Sequence, residues 1–429
     1  MFVIEKKKVL NGIIAISMLM FLYLVGGDIH ILRSAFIIFL TVIYLIMIPK
    51  TLLSPKNVVF FYYYVWYGVA PMFANRYLGM IEKGGDVNKA YLMFFTTYTV
   101  AMMTLDYCEN KSCKESLRIR KDLSALEKSL LFCLYAVALM IYVIRTGGIS
   151  QWLNNANDAF FSRGGSGMFF LVFEYSAFLI LYYAGKNKPI KKRIPYILLC
   201  LLTMFLCGSK SIALVMVIML FGGELIKTKI VSFRAILFVI GGITLFVIGM
   251  YVRNAQYMQN VSAVISTSLN YFDTFDETII VLRDFEPSFF MTILLPLNWI
   301  FMKIGFFIDK PYHDTSIWLT NIYYPESWAS GGTHQWPVEI YLYLNFYYIF
   351  GIIFIVVYFC IIGQIYNRAV KEYGIWRFIY FSELMSILSH LRGGLFNYWY
   401  IYMIPFYVVL IMWEKKVVCP EKFIERKIS

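Results

Sequence analysis

Charged side chains are scarce in this chain. Asp, Glu, Lys and Arg make up 15% of its 429 residues, whereas a soluble protein carries about 25%. Hydrophobic residues account for 60% of the chain, and its mean hydropathy is +0.66. Apolar runs of about twenty residues recur, which is the length that a helix needs to cross a bilayer. The composition therefore argues against a soluble protein and predicts an all-α polytopic membrane protein.

The sequence also lacks the cysteine pattern of a disulfide-stabilised or zinc-binding protein. None of its seven cysteines falls in a segment that we place outside the cytoplasm, where disulfides form. Cys108 and Cys113 are wrongly spaced for a zinc knuckle. No small-residue cleavage site follows the first apolar run, so we expect residues 9–26 to form a retained span.

The net charge of +13 would suggest nucleic-acid binding in a soluble protein, but here it indicates topology. If both termini lie in the cytoplasm, 27 of the 39 lysines and arginines fall on the cytoplasmic side. The basic clusters at 111–128 and 186–193 decide the orientation, because short loops follow the positive-inside rule most strictly. We therefore expect a multi-pass protein with cytoplasmic termini and no nucleic-acid partner.

Hydropathy predicts about twelve transmembrane helices and one large extracytoplasmic loop. The spans are expected near 9–26, 31–49, 57–74, 89–105, 129–144, 168–185, 194–208, 212–226, 235–252, 338–362, 376–390 and 396–413. Residues 1–252 would then form an N-terminal bundle of about nine spans, and residues 253–337 the loop. Residues 338–429 would supply the remaining spans and a cytoplasmic tail.

Residues 289–308, within the loop, are apolar enough to form a thirteenth span. A span there would reverse the side of everything that follows it and leave only 21 of the basic residues inside, so the positive-inside rule favours twelve. Pro296, Asn298 and Lys303 also suit a re-entrant or interfacial helix better than a lipid-exposed one.

The loop combines aromatic rings with carboxylates, a composition that binds sugars through ring stacking and hydrogen bonds to hydroxyls. For sugar binding we single out Asp273, Trp328 and Trp336. A metal site at Asp273, Asp276 and Glu277 is the weaker interpretation, because no second carboxylate cluster completes a six-oxygen shell.

His334 and Glu339 flank Pro337 at the predicted start of the tenth span. A histidine and a carboxylate just above a membrane suit a general base and its partner. We name His334, Glu339 and Asp276 as candidate catalytic residues. A lone loop histidine is more often a solvated polar residue, and that alternative stays open.

Six of the twelve basic residues on the side that the positive-inside rule leaves poor in positive charge are candidates for ligand binding. They are Arg145, Arg163, Lys210, Arg253, Arg283 and Arg392. Any one of them could be snorkelling at a helix end, but together they suit the binding of a diphosphate. Paired glycines after Arg163 and Arg392 would let the backbone approach a ligand. Glu174 and Glu383, inside predicted spans, are candidate functional acids because of their position.

The layout resembles that of the Wzy-type O-antigen and capsular polysaccharide polymerases, with the O-antigen ligases as relatives. The turn at 206–211, Leu-Cys-Gly-Ser-Lys-Ser, is similar to the family's Gly-Ser-Arg-Ser-type turn, with Lys210 in place of the usual arginine. The histidine-then-helix segment that ends the family's large loop is matched at His334, Glu339, Leu344, Asn345 and Gly351.

The resemblance implies a GT-C-like glycosyltransferase of the bacterial cytoplasmic (inner) membrane. It would join oligosaccharide repeat units linked to undecaprenyl diphosphate, at the outer face, into O-antigen, capsule or exopolysaccharide. The basic residues would bind the diphosphate and His334 would act as the base, with no metal or other cofactor. Membrane lipid and a chain-length regulator protein are the further expected partners.

Two other functions stay open at this point. An O-antigen ligase uses the same donor with a lipid A core acceptor, and the sequence barely separates it from a polymerase. A non-enzymatic flippase for lipid-linked oligosaccharides is the second. Transporters often contain internal repeats, whereas this sequence shows no clear repeat.

Overall fold

The computed structural model describes most of the chain as helix. The described residues are 12, 29–73, 85–110, 123–154, 159, 166–185, 189–207, 210–254, 269–304, 312–329, 332–371, 374–398 and 400–425. Within them no strand forms, and Phe289 and Phe346 make an isolated antiparallel bridge.

The first half of the chain contains nine helices in the described ranges. They are α1 (Ile29–Ile46), α2 (Pro55–Tyr63, continued by a π-helical turn Tyr64–Val69 and by Ala70–Phe73), α3 (Gly85–Asn110), α4 (Ala125–Arg145), α5 (Gly148–Asn154), α6 (Gly167–Leu179, continued by a π-helical turn Ile180–Gly185), α7 (Ile190–Cys207), α8 (Lys210–Leu225) and α9 (Phe233–Asn254).

The second half begins with short helices and ends with longer ones. They are α10 (Phe275–Asp284), α11 (Leu295–Ile304), α12 (Thr315–Tyr323), α13 (Pro325–Ala329), α14 (Val338–Phe346), α15 (Ile352–Lys371, preceded by a 3-10 turn Ile349–Gly351), α16 (Ile375–Leu384), α17 (Ser386–Leu391) and α18 (Tyr400–Glu425).

Four helical segments in the described ranges are long and apolar enough to cross a membrane. They are Ile29–Ile46, Ala125–Arg145, Gly167–Gly185 and Ile349–Lys371. On α4, large apolar side chains such as Leu126, Leu130 and Ile144 are exposed, which suits contact with lipid. The prediction of an all-α protein with membrane-spanning helices is confirmed to that extent. The count of twelve spans and the large loop stay predictions, and the predicted span 9–26 lies outside the described residues except for residue 12.

The predicted span 338–362 is interrupted in the structure. Tyr347 and Tyr348 have φ angles of 52° and 59°, a left-handed conformation that ends a right-handed helix. Val338–Phe346 is therefore a separate helix whose nine residues are all buried, and the long apolar segment begins at Ile349. Hydropathy missed the break because tyrosine does not interrupt an apolar run.

The ambiguous stretch 289–308 contains helix α11, which has ten residues. Ten residues rise about 15 Å, about half the thickness of the hydrocarbon core. The Asn298 side-chain amide donates to the Tyr312 carbonyl at 2.9 Å and ties this helix to the start of the next loop segment. Residues 305–311 lie outside the described range.

Helix α2 joins two polar regions of the molecule. At its start, buried Lys56 lies 3.0 Å from Asp106 and 2.8 Å from Glu109 on α3. The Ser54 hydroxyl donates to Glu109 and also caps the helix. We call these four residues the Lys56 cluster. Ten residues along, a rise of about 15 Å, Trp66 donates its indole N–H to Gln335, the residue after His334.

Candidate functional site

His334 is enclosed on several sides by polar and aromatic side chains. Its ring stacks on Tyr324, with centroids 3.7 Å apart and planes 5° from parallel. Nε2 lies 3.3 Å from the Ser327 hydroxyl, and Nδ1 lies 3.7 Å from Glu277 Oε1. The His334 side chain keeps 24% of its surface exposed, whereas that of Glu277 keeps 5%. The ring is therefore oriented by its neighbours but still open to a ligand.

The backbone of the segment 334–336 is anchored by Thr320 on helix α12. The Thr320 hydroxyl oxygen accepts from the His334 backbone N–H at 3.0 Å and from the Trp336 indole N–H at 3.1 Å. The same hydroxyl donates to the Ser316 carbonyl. Asp314 starts this helix by accepting from the Ile317 backbone N–H at 2.7 Å. One capped helix thus fixes the position of His334.

Glu277 reaches His334 from the first turn of helix α10. Asp276 shares that turn, and the helix N-terminus favours negative charge there. Asp273, just before the helix, accepts from the Phe275 backbone N–H at 3.2 Å. All three carboxylates are buried. The acidic group of the sequence is therefore buried in the structure, with Glu277 facing the histidine.

Arg392 joins this group from the far end of the chain. Its guanidinium donates to the Tyr271 hydroxyl at 3.1 Å, and its carbonyl accepts from the Trp336 backbone N–H at 2.9 Å. The Gln335 amide donates to the Tyr271 carbonyl at 3.2 Å. We call His334, Glu277, Tyr324, Tyr271 and Arg392 the His334 cluster.

The other predicted diphosphate-binding residues are placed differently. Arg145 lies over the Phe169 ring at 5.2 Å. Arg283 donates to Asp284 at 2.8 Å in an exposed ion pair, and this hydrogen bond holds the pKa of the Asp284 carboxyl below its usual range. Lys210 begins α8 and Arg253 lies near the end of α9, but their side chains are outside the description, as is all of Arg163. Of the six predicted cations, Arg392 is the one that contacts in the described residues connect to the His334 cluster.

Glu339, predicted as the partner of His334, is held elsewhere. Its side chain is fully buried, and it accepts a hydrogen bond from the Tyr63 hydroxyl on helix α2. The carboxylate beside the histidine is Glu277. Pro337 separates His334 from the helix that carries Glu339. The two side chains are five residues apart in sequence but contact different partners.

The residues predicted to bind sugar differ in exposure. Trp336 keeps 1% of its surface exposed, and its ring packs against Tyr323 and Tyr324. Asp273 is also buried. Trp328 is half-buried, with its ring 6.4 Å from that of Tyr312. Trp328 is therefore the member of this set that keeps a face for a ligand.

Sequence reasoning missed the roles of Tyr324, Ser327 and Tyr271. Tyr324 and Ser327 are three residues apart around a short helix, a spacing that places both on one side, and both contact the His334 ring. That spacing was a usable signal. No sequence pattern relates Tyr271 to Arg392, because the two residues are far apart along the chain.

The arrangement can accept a proton and bind an anion at neighbouring points. A histidine that is partly exposed and has a carboxylate oxygen 3.7 Å from one ring nitrogen suits general base chemistry. Arg392, which is joined to the same segment through Tyr271 and the Trp336 backbone, suits a phosphate or carboxylate group. No protein-family model matches the chain, no curated protein matches its sequence, and no solved structure matches its fold.

Proposed function

We propose that this chain is a polymerase that joins oligosaccharide repeat units linked to undecaprenyl diphosphate. The reaction takes place at the outer face of the cytoplasmic membrane and produces O-antigen, capsule or exopolysaccharide. The observation that carries the proposal is the His334 cluster, in which a half-buried histidine with a carboxylate neighbour shares one site with Arg392. The sequence motifs described above supply the choice of substrate.

The proposed reaction is a transfer of the growing glycan from its diphosphate to a sugar hydroxyl. The acceptor oxygen bonds to the anomeric carbon of the donor as the bond from that carbon to the diphosphate oxygen breaks. The diphosphate leaves with the bonding electron pair, and the acceptor's proton passes to the His334 imidazole. Arg392 neutralises the leaving group, and Glu277 stabilises the protonated imidazole.

The topology of the proposal follows the distribution of charge. About twelve spans with cytoplasmic termini would place the segment from 253 to 337 outside the cytoplasm. The same orientation would place Arg392 on that side. Exported, lipid-linked repeat units would then reach His334 and Arg392 from the outer leaflet.

The test is incubation of purified protein with exported-type lipid-linked repeat units, followed by separation of the glycans by length. We expect a ladder of lengthened lipid-linked glycans. Lipid A core carrying glycan, formed only when that acceptor is added, would make the protein a ligase instead. Transfer of the lipid-linked unit between leaflets without any new glycosidic bond would make it a flippase and sink the polymerase proposal.

In cells, deletion of the gene gives an independent result. A polymerase mutant should display single repeat units on the cell surface. Full-length glycan that stays on its polyprenyl carrier would indicate a ligase.

A further inference from the structure

A cavity of about 240 Å³ lies between helices α6, α8, α16 and α17. It is separate from the histidine ring of the His334 cluster, and none of its lining residues has a part in the reaction proposed above. His390 and Glu174 are among its lining residues, and both are buried. The cavity is therefore a distinct place in the fold at which a ligand could bind.

One wall of the cavity carries a stripe of hydroxyl groups. Ser382, Ser386 and Ser389 line it at intervals of four and three residues, the spacing that places side chains on one face of a helical path. Asn397 and Tyr398, which follow this path, add an amide and a phenol. The Ser382 hydroxyl bonds to the Ile379 carbonyl at 2.9 Å and to the Tyr407 hydroxyl at 2.8 Å, so Ser386 and Ser389 are the serines of this wall that we expect to bond to a ligand.

The opposite wall is aromatic and belongs to helix α6. Phe170, Glu174 and Phe178 line it at intervals of four residues, so that one carboxyl group is flanked by two rings. Tyr175 adds a third ring. Sugar rings bind between surfaces of this kind, because their C–H faces pack on aromatic rings while their hydroxyls bond to polar groups.

The charge of the lining selects among ligands. No lysine or arginine is among the described lining residues, and a carboxyl group is. A diphosphate or an acidic sugar would meet no permanent positive charge there and would lie against Glu174. An uncharged ring can donate hydroxyl hydrogen bonds to that carboxyl group at no such cost.

The cavity is linked to the His334 cluster by the segments that line it. His390 lies two residues before Arg392, a rise of about 3 Å along the same helix end. Tyr398 of the lining packs its ring edge-on against His313, with centroids 4.5 Å apart, and His313 precedes the residue that caps helix α12, to which the His334 segment is anchored. A glycan whose reacting end lies at Arg392 could therefore place a neighbouring ring in the cavity.

We infer that this cavity is a subsite for one uncharged sugar ring of the glycan, bound between the serine stripe and the aromatic wall. The inference rests on the proposed function and adds a substrate class to it. The volume is below the range of about 300–1,000 Å³ that encloses drug-sized ligands, so the cavity takes one ring and not a whole repeat unit. The ring bound there carries no uronic acid or phosphate group.

The test measures sugar binding without any turnover. The protein in phospholipid nanodiscs is titrated with glucose, galactose, N-acetylglucosamine and glucuronic acid, and binding is followed by saturation-transfer NMR. We expect millimolar binding of at least one neutral sugar and binding of glucuronic acid weaker by about tenfold or more. Glu174→Gln should lose most of this discrimination, and Ser386→Leu should abolish binding by filling the cavity.

Ser176→Ala is the matched control, because Ser176 is on the same helix as Glu174 but bonds to the Val172 carbonyl at 2.6 Å and does not line the cavity. It should bind sugars like the unaltered protein. If Ser386→Leu fails to fold, the nearly isosteric Glu174→Gln still decides the matter. Equal binding of acidic and neutral sugars, unchanged binding in Ser386→Leu, or no binding of any sugar overturns the subsite.

The two proposals can fail separately. A protein that lengthens glycans but binds no neutral sugar in this assay keeps the polymerase function and loses the subsite. A protein that binds neutral sugars with the expected dependence on Glu174 but makes no glycosidic bond keeps a sugar site and loses the polymerase function.

Discussion

The Lys56 cluster and the His334 cluster both combine charged groups with hydroxyls, yet they differ in exposure. Lys56 keeps 1% of its side-chain surface exposed and Glu109 keeps 2%, with each charge facing an opposite charge within 3.0 Å. His334 keeps 24%, and its nearest carboxylate oxygen is 3.7 Å away. The first cluster satisfies its own charges, whereas the second leaves room for a ligand.

The difference teaches how to separate structural from functional charges in a membrane protein. A buried ion pair stabilises the fold only while both partners are present, because each charge has lost its water. A partly exposed histidine that faces its nearest carboxylate at 3.7 Å contributes less to stability. Substitutions in the two clusters should therefore affect different measurements.

Replacing His334 should cause the largest loss of function with little loss of stability. His334→Ala removes the proposed base, and we expect glycan lengthening to slow by about 10²–10⁴-fold. Glu277→Gln should slow it less, because the imidazole remains. The assay is the rate of ladder formation by purified protein, with thermal unfolding measured on the same samples.

His30→Ala provides the control for the His334 substitution. His30 is an exposed histidine at the start of helix α1, and its loss should leave the rate unchanged. A His334→Ala protein that lengthens glycans at the unaltered rate would remove His334 as the base.

Replacing Lys56 should have the opposite effect, a large loss of stability. Lys56→Met removes the cation from buried Glu109 and half-buried Asp106, and we expect a loss of about 3–5 kcal/mol in the free energy of unfolding. Adding Glu109→Gln should recover part of it, since one uncompensated carboxylate disappears. Thermal or denaturant unfolding in detergent gives the measurement.

Lys50→Met is the matched change at an exposed lysine and should shift stability by about 0.5 kcal/mol or less. Equal stability of the Lys56→Met and Lys50→Met proteins would contradict the structural role of the Lys56 cluster.

Replacing Arg392 tests whether the His334 cluster binds an anion. Arg392→Ala should slow lengthening by about 10²–10³-fold, as expected for loss of a group that stabilises developing charge. Arg392→Lys should be intermediate, because an ammonium group cannot bind two phosphate oxygens in a fork. Tyr271→Phe removes only the phenol partner of the guanidinium and should cost less than either. The same rate for Arg392→Ala and the unaltered protein would exclude Arg392 from the site.

Replacing Arg283 should have the smallest effect, since its ion pair with Asp284 is exposed. The depressed pKa of Asp284 means that the pair stabilises the fold above the usual aspartate pKa of about 4, and that this contribution is lost as the pH falls through the depressed value. Arg283→Ala should therefore lower Tm slightly at neutral pH and not at strongly acidic pH. Its lengthening rate should fall less than that of Arg392→Ala, and a larger fall would return Arg283 to the diphosphate site.

Much of the secondary structure could be predicted from composition and hydropathy. The span expected at 129–144 is helix Ala125–Arg145, and the one expected at 168–185 is Gly167–Gly185. That the acidic and aromatic segment around His334 carries the chemistry stays a prediction from the sequence. The pairing of His334 with Glu339 was expected because the two are close in sequence, but in the structure Pro337 starts a new helix between them and Tyr63 donates to Glu339.

The sequence by itself determined that this is an all-α membrane protein. Helices that lie in lipid need apolar side chains along their whole length, and this requirement is visible in the composition. Only the tertiary structure decided which charged groups are paired with an opposite charge and which stay partly exposed to a ligand. Glu277 meets His334, and Tyr271 meets Arg392, through the packing of segments that are distant along the chain. The break at Tyr347 and Tyr348 likewise depends on backbone angles that hydropathy does not contain. Contacts of this kind depend on how the helices pack against one another, so no local sequence pattern could have predicted them.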